Sequence, residues 1–161
     1  MQRLFAPWRY AYVSGASAAP GCVLCQAAGG ESETLTLCHG ARAFALLNRF
    51  PYTSGHAMVA PFEHVADFTA LDPATMADLM EVAQRVVRGL ESLYHPHGFN
   101  LGMNLGESAG AGIADHLHLH IVPRWRGDTN FMTVAGEVRV LPEDLPTTWA
   151  RLREVLDGRH D

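Results

Sequence analysis

The chain has 161 residues, 48% of them apolar and 18% charged, with a formal net charge of −5. This composition fits one globular domain spanning 1–161 with a full core, and it excludes a disordered or collagen-like chain. The acidic balance argues against a nucleic-acid backbone as partner, and no apolar run has the length of a membrane span or the form of a signal-peptide core. The expectation is a cytoplasmic protein with neither a nucleic-acid nor a membrane partner.

Residues 1–34 contain Pro7, Pro20 and runs of Gly, Ser and Ala, and read as an irregular N-terminal arm. The arm carries a C-x-x-C knuckle, Cys22 and Cys25. Three cysteines are an odd number, which makes a disulfide framework a poor fit. The pair is therefore half of a zinc site or a redox couple, and without a thioredoxin-like βαβ pattern around it zinc is favoured. Cys38 stands alone in an apolar stretch and reads as a small buried residue.

Leu35–Cys38 and Ala43–Asn48 are strand-like, with His39-Gly40-Ala41-Arg42 as the hairpin turn. A loop over Arg49–Gly55 leads to a third short strand, His56–Pro61. Asp72 then caps a helix that has Pro73 at its first position. Met76, Leu79, Met80, Ala83, Val86, Val87, Leu90 and Leu93 recur at three- and four-residue spacing, which predicts one long amphipathic helix ending near Tyr94 and Pro96. Phe99–Asn104 and Leu117–Pro123 supply two more strands, and a final helix is expected over about Thr148–Leu156. Strands joined mostly by short turns beside a long helix imply an α+β domain, an antiparallel sheet with helices on one face.

The densest signal is the run His116-Leu117-His118-Leu119-His120. Side chains alternate faces along a strand, so one face would carry three imidazoles while the leucines and Ile121 enter a core. The outer rings would stand roughly 13 Å apart at about 3.3 Å per residue, enough to line a phosphate chain. Imidazole can act as nucleophile, proton donor or metal ligand near neutral pH. A plain metal site or a solvated histidine face would share the pattern. The glycine-rich stretch from Gly102 to Gly112 favours an anion site instead, because small residues let backbone N–H groups approach an anion closely.

With these residues the chain resembles the histidine triad (HIT) family of nucleotide hydrolases and transferases. Leu4–Tyr10 is similar to the entry segment of bacterial members, and Phe44–Asn48 with Pro51 and Gly55-His56 to their nucleotide-binding strand pair. His97–Asn100 through Gly127-Asp128 and Asn130-Phe131 looks most like the branch acting on dinucleoside polyphosphates, which includes fragile-histidine-type hydrolases and diadenosine tetraphosphate phosphorylases. The resemblance implies the HIT fold, a sheet of about five strands with a long helix and a C-terminal helix, usually paired into a homodimer. It also implies cleavage of a dinucleoside polyphosphate at the α-phosphate through a nucleotidyl-histidine, or else hydrolysis of a nucleoside phosphoramidate, or a non-catalytic nucleotide- or zinc-binding module.

The resemblance makes His118 the nucleophile, with His116 and His120 as its companions in catalysis. A neutral ring attacks a phosphate without the repulsion an anion meets, provided one nitrogen is held as a donor. His56 and His120 would bind phosphate oxygens, and an imidazolium among them would protonate the leaving group. Asn48 and Asn104 are candidate contacts to the nucleotide and phosphates. Gly106, Ser108, Gly110 and Gly112 would offer backbone N–H groups to developing charge. Arg124 and Arg126 are candidates for a distal phosphate. Phe5 and Trp8, with Leu46 and Leu47, are candidates to sandwich a purine. The implied zinc ligands are Cys22, Cys25, His64 and His116. Many members carry a Gly-Gln-Ser/Thr sequence before the first histidine. Gly112-Ile113-Ala114-Asp115 stands there instead, which removes a proton path through that hydroxyl.

Overall fold

The computed structural model describes residues 21–29, 35–128 and 141–158. Phe5, Trp8, the entry segment, and Asn130-Phe131 lie outside the described residues. Five strands form one sheet: β1 (Thr36–His39), β2 (Ala43–Leu47), β3 (Ala57–Pro61), β4 (Gly98–Met103) and β5 (Leu119–Arg124). Their order is β1-β2-β3-β5-β4, and every neighbouring pair is antiparallel. The helices are α1 (Val23–Ala28), α2 (Pro73–Tyr94) and α3 (Leu145–Leu156). The architecture is the α+β sheet-and-helix arrangement that the sequence implies.

β2 and β3 are buried along their whole length because both faces of the sheet are covered there. Ala43, Ala45, Leu47, Ala57 and Val59 face Leu79, Val82, Ala83, Val86 and Leu90 of α2 and Leu152 of α3. Leu119 and Ile121 join this core, as the alternation in the histidine run requires. Phe44, Leu46, Met58 and Ala60 turn to the opposite face and meet Leu24 and Ala27 of α1. Helices therefore lie on both faces, not one. Six residues are too few for a helical period to register in the sequence, so α1 was hidden in what reads as an irregular arm; tertiary packing of Leu24 and Ala27 supports it.

α2 begins as expected, with Asp72 Oδ1 accepting from the N–H groups of Ala74 and Thr75. It ends at His95, whose left-handed φ of 46° breaks the helix before Pro96. α3 starts three residues earlier than the sequence suggests, because Asp144 caps it by accepting from Thr147 N–H, and a proline is tolerated in the first turn. Trp149 of α3 donates from its indole to the carbonyl of Thr36, docking the helix along the edge strand β1.

The loop between β2 and β3 is held at several points. Asn48 N–H donates to the His56 carbonyl, and Thr53 Oγ1 donates to the Pro123 carbonyl on β5. Gly55 has φ of +76°, and a Cβ there would stand 2.6 Å from Leu90 Cδ2 of α2. Only glycine meets both demands. Gly55→Ala should therefore cost about 2 kcal/mol and lower Tm by roughly 4–8 °C. A thermal melt unchanged within 1 °C would show that the loop relaxes freely.

Candidate active site and metal centre

The three histidines do not share one environment. His116 and His118 precede β5, and only His120 lies within it. Leu117 N–H donates to the Val65 carbonyl, which fixes this approach against the segment after β3. His116 is fully buried, and its Nε2–H donates to the carbonyl of Pro61 at 2.9 Å. Its Nδ1 therefore holds a lone pair, and this faces Cys22 Sγ at 3.3 Å and Cys25 Sγ at 3.6 Å. His64 Nδ1 stands 3.3 Å from Cys25 Sγ.

The donor atoms of Cys22, Cys25, His64 and His116 all lie within 4.8 Å of one another. In a tetrahedral zinc site, sulfur and nitrogen ligands stand about 3.5 Å apart, given bonds of roughly 2.3 and 2.0 Å. The set is thus one that fits zinc, down to the Nε2–H of His116 being tied to a carbonyl. Burial and the adjacent Cys22 thiol push Cys25 above its ordinary pKa. Two thiolates this close repel each other, and a divalent cation between them would reverse that balance.

His118 is 5% exposed. Its Nδ1–H donates to the His116 carbonyl at 2.9 Å, so the lone pair sits on Nε2. Burial lowers its pKa, against the smaller opposing effect of that carbonyl. The ring is neutral at neutral pH and has the tautomer a nucleophile needs. His120 lies edge-on to it with centroids 4.9 Å apart. His120 Nδ1 meets His56 Nε2 at 3.0 Å, and His56 Nδ1 accepts from the main-chain N–H of Tyr52 at 3.0 Å. Three rings, His118, His120 and His56, thus stand together, while His116 faces the cysteine cluster.

Asn48 serves two ends. Its Oδ1 accepts from Phe50 N–H in a local turn, which points Nδ2 toward His56 Nε2 at 3.5 Å. Asn104 Nδ2 donates to the Gly110 carbonyl, closing the loop after β4. Within that loop Glu107–Ala109 form a 3-10 turn, with Gly106 and Gly110 at φ of 79° and 87°. The N–H groups of Ala109 and Ala111 donate to Gly106, and that of Gly110 to Glu107. The N–H groups of Ala109, Gly110 and Ala111 are thus taken up inside the loop, so the expectation that Gly110 offers its N–H to developing charge is not met.

Arg124 is already engaged: it donates to both oxygens of Asp128 and to Asn100 Oδ1. This pairing tells against the expectation that it reaches a distal phosphate. Ile113, in the segment that lacks the hydroxyl, packs against the α1 cluster. Leu46 is buried in that cluster and Leu47 in the main core. Tyr52 was missed by sequence reasoning, since it acts through a main-chain N–H and no residue type advertises that. Its ring also lies 4.6 Å from that of His56.

The HIT domain family pattern matches residues 30–127. An AP-4-A phosphorylase of Mycobacterium tuberculosis is 38% identical, the match covering 94% of this chain and 86% of the relative. An adenosine 5'-monophosphoramidase of Schizosaccharomyces pombe is 30% identical over 64% of this chain and 74% of its own. Among solved structures, a zinc-bound histidine triad family protein of Mycobacterium smegmatis superposes with a TM-score of 0.71 at 31% identity, covering 86% of this chain and 94% of the other.

Burial of His118 gives stability a pH dependence. Its folded pKa lies below the unfolded value of about 6.5, so the unfolded chain binds the extra proton first. Its contribution is present above about pH 6.5 and is lost as pH falls toward the depressed folded value. Relative to His118→Gln, the wild-type protein should lose stability between pH 7.5 and 5, read as urea midpoints. Parallel midpoints across that range would show that the ring is solvated.

Proposed function

The chain belongs to the HIT family, and on that premise we propose that it is an enzyme cleaving dinucleoside polyphosphates, such as diadenosine tri- or tetraphosphate, at the α-phosphate. The observation that carries this is His118: a buried, neutral imidazole whose Nδ1–H is held by the His116 carbonyl and whose Nε2 holds the lone pair. Nε2 attacks the α-phosphorus, the bond to the bridging oxygen breaks, and the remaining nucleotide departs with the electron pair. The carbonyl of His116 then faces a ring that has gained positive charge, which it stabilises.

Phosphate or water next opens the nucleotidyl-His118 phosphoramidate and restores the ring. The 38% identity to an AP-4-A phosphorylase supports phosphate as the acceptor and a purine nucleotide as ligand. Asn48 Nδ2, His120 and the loop at Gly106, Ser108 and Gly112 are the proposed contacts to substrate oxygens, and Asn104 shapes that loop. The rival reading, phosphoramidate hydrolysis, has the fission-yeast relative behind it. β4 lies at the sheet edge with Leu101 46% exposed, and a second copy placed there would extend the sheet.

Zinc is the metal we assign to Cys22, Cys25, His64 and His116; when bound, it would act as a closed structural ion that ties α1 to the strand approach carrying His118. The protein's own part is to hold Nδ1 of His116 toward the thiols through the Pro61 carbonyl.

Two experiments test these readings. Diadenosine tetraphosphate incubated with phosphate should yield ADP and ATP, at a kcat/KM well above that for an adenosine phosphoramidate, and His118→Ala should abolish turnover while nucleotide still binds. A clear preference for the phosphoramidate, or an active His118→Ala, would overturn the assignment. Elemental analysis should find one zinc per chain, and a chelator should lower Tm by about 10 °C. Metal-free protein with an unchanged melt would remove the zinc assignment.

A further inference from the structure

Cys22 and Cys25 stand one helical turn apart at the start of α1. Cys22 is the N-cap, its carbonyl accepting from Gln26 N–H, and the carbonyl of Cys25 accepts from Gly29 N–H. Residues three apart in helical geometry have Cα atoms about 5 Å apart, inside the range a disulfide spans. The two side chains also converge. Each sulfur faces Nδ1 of His116, at 3.3 Å from Cys22 and 3.6 Å from Cys25, and the sulfurs lie within 4.8 Å of each other. The geometry that aims both sulfurs at one cation therefore aims them at each other, with side-chain rotation alone separating the two states. Leu24 and Ala27 hold α1 against Phe44, Leu46 and Met58, so the pair keeps its place when no cation joins it.

The third thiol is kept apart. Cys38 is buried in the main core beneath α2, on the opposite face of the sheet from α1, and burial pushes its thiol pKa up. Cys22 and Cys25 are partly exposed and His64 is exposed, so a small oxidant reaches the pair and not Cys38.

We propose that Cys22 and Cys25 are a reversible thiol–disulfide pair closed by a hydroperoxide, and that closure and zinc exclude each other at the same two sulfurs. The exclusion rests on the zinc reading under Proposed function, whereas disulfide formation belongs to the two cysteines alone. One cysteine thiolate attacks a peroxide oxygen: the S–O bond forms, the O–O bond breaks, and the departing hydroxide takes up a proton to leave as water. The other thiolate attacks that sulfur: the S–S bond forms, the S–O bond breaks, and the second hydroxide also leaves as water. Two electrons pass from the sulfurs to the peroxide. His64 and His116 then remain as two ligands where a closed zinc site needs four. By linkage, zinc bound at the four ligands holds the pair reduced. The metal centre is thereby a peroxide-responsive site, placed at the residue whose carbonyl orients His118.

The test is hydrogen peroxide added to the full-length, zinc-loaded protein, with the released metal read by a chromogenic chelator and the thiols by titration. The protein should release one zinc per chain and lose two of its three thiols. Digestion and mass analysis should place the new bond between Cys22 and Cys25, with the loss of two hydrogens, and dithiothreitol should restore both thiols and the capacity for zinc. Cys38→Ser should release zinc to the same extent and keep no free thiol. His64→Ala, which lacks the exposed ligand, should close its disulfide faster than the wild-type protein in the same zinc solution. Zinc retained after the disulfide has formed would overturn the exclusion. Thiols that stay intact, go to sulfinic acids without an S–S bond, or pair with Cys38 would overturn the proposal as a whole. A protein that takes up no zinc would remove the metal reading and the exclusion with it, and its oxidised peptides would still decide the disulfide.

Discussion

The site depends on one short hydrogen bond, from Nδ1 of His118 to the carbonyl oxygen of His116, two residues away in sequence. It sets the tautomer, which places the lone pair on the outer nitrogen of a buried ring. It also couples two centres. The residue that supplies the carbonyl is the one whose imidazole faces the cysteine pair, with its other nitrogen tied to Pro61. Any displacement of His116 therefore moves the acceptor that orients His118. A cation held by the four ligands would act on chemistry through this geometry, from outside the reacting atoms.

The fold supplies the stiffness this requires. β2 and β3 are buried on both faces, by α2 and α3 on one side and by α1 on the other. The alanines at 43, 45 and 57 let α2 pack closely on the sheet, and Gly55 lets the loop press against Leu90 with no side chain between. The loop from Asn48 to His56 is thereby pinned at both ends, and its N–H groups become fixed dipoles. Those of Phe50 and Tyr52 hold Asn48 Oδ1 and His56 Nδ1 in place.

Much of this was legible in the sequence. The alternation of leucines with histidines marked Leu119 and Ile121 as core, though His116 and His118 precede β5 and the three rings do not share one face, and Asp72-Pro73 with the apolar spacing marked α2. The C-x-x-C pair pointed to half of a metal site, and the family resemblance supplied His64 and His116 as its completion. What stayed hidden has a common cause: it depends on main-chain groups or on distant partners. The carbonyls of Pro61 and His116 and the N–H groups of Phe50 and Tyr52 have no residue-type signature. α1 is too short for periodicity and is held by Phe44 and Leu46 from elsewhere in the chain. Arg124 looked like a phosphate ligand because its charge is visible in sequence and its pairing with Asp128 and Asn100 is not.

The central claim is that Nε2 of His118 becomes bonded to the α-phosphorus of the substrate. Rapid acid-free quenching of the enzyme with diadenosine tetraphosphate, followed by proteolysis and mass analysis, addresses that bond directly. The account predicts a transient adenylyl group on the peptide containing residues 116–120, assigned to His118 by fragmentation and lost on addition of phosphate. Turnover without any covalent adduct, or with the adduct on another residue, would contradict it.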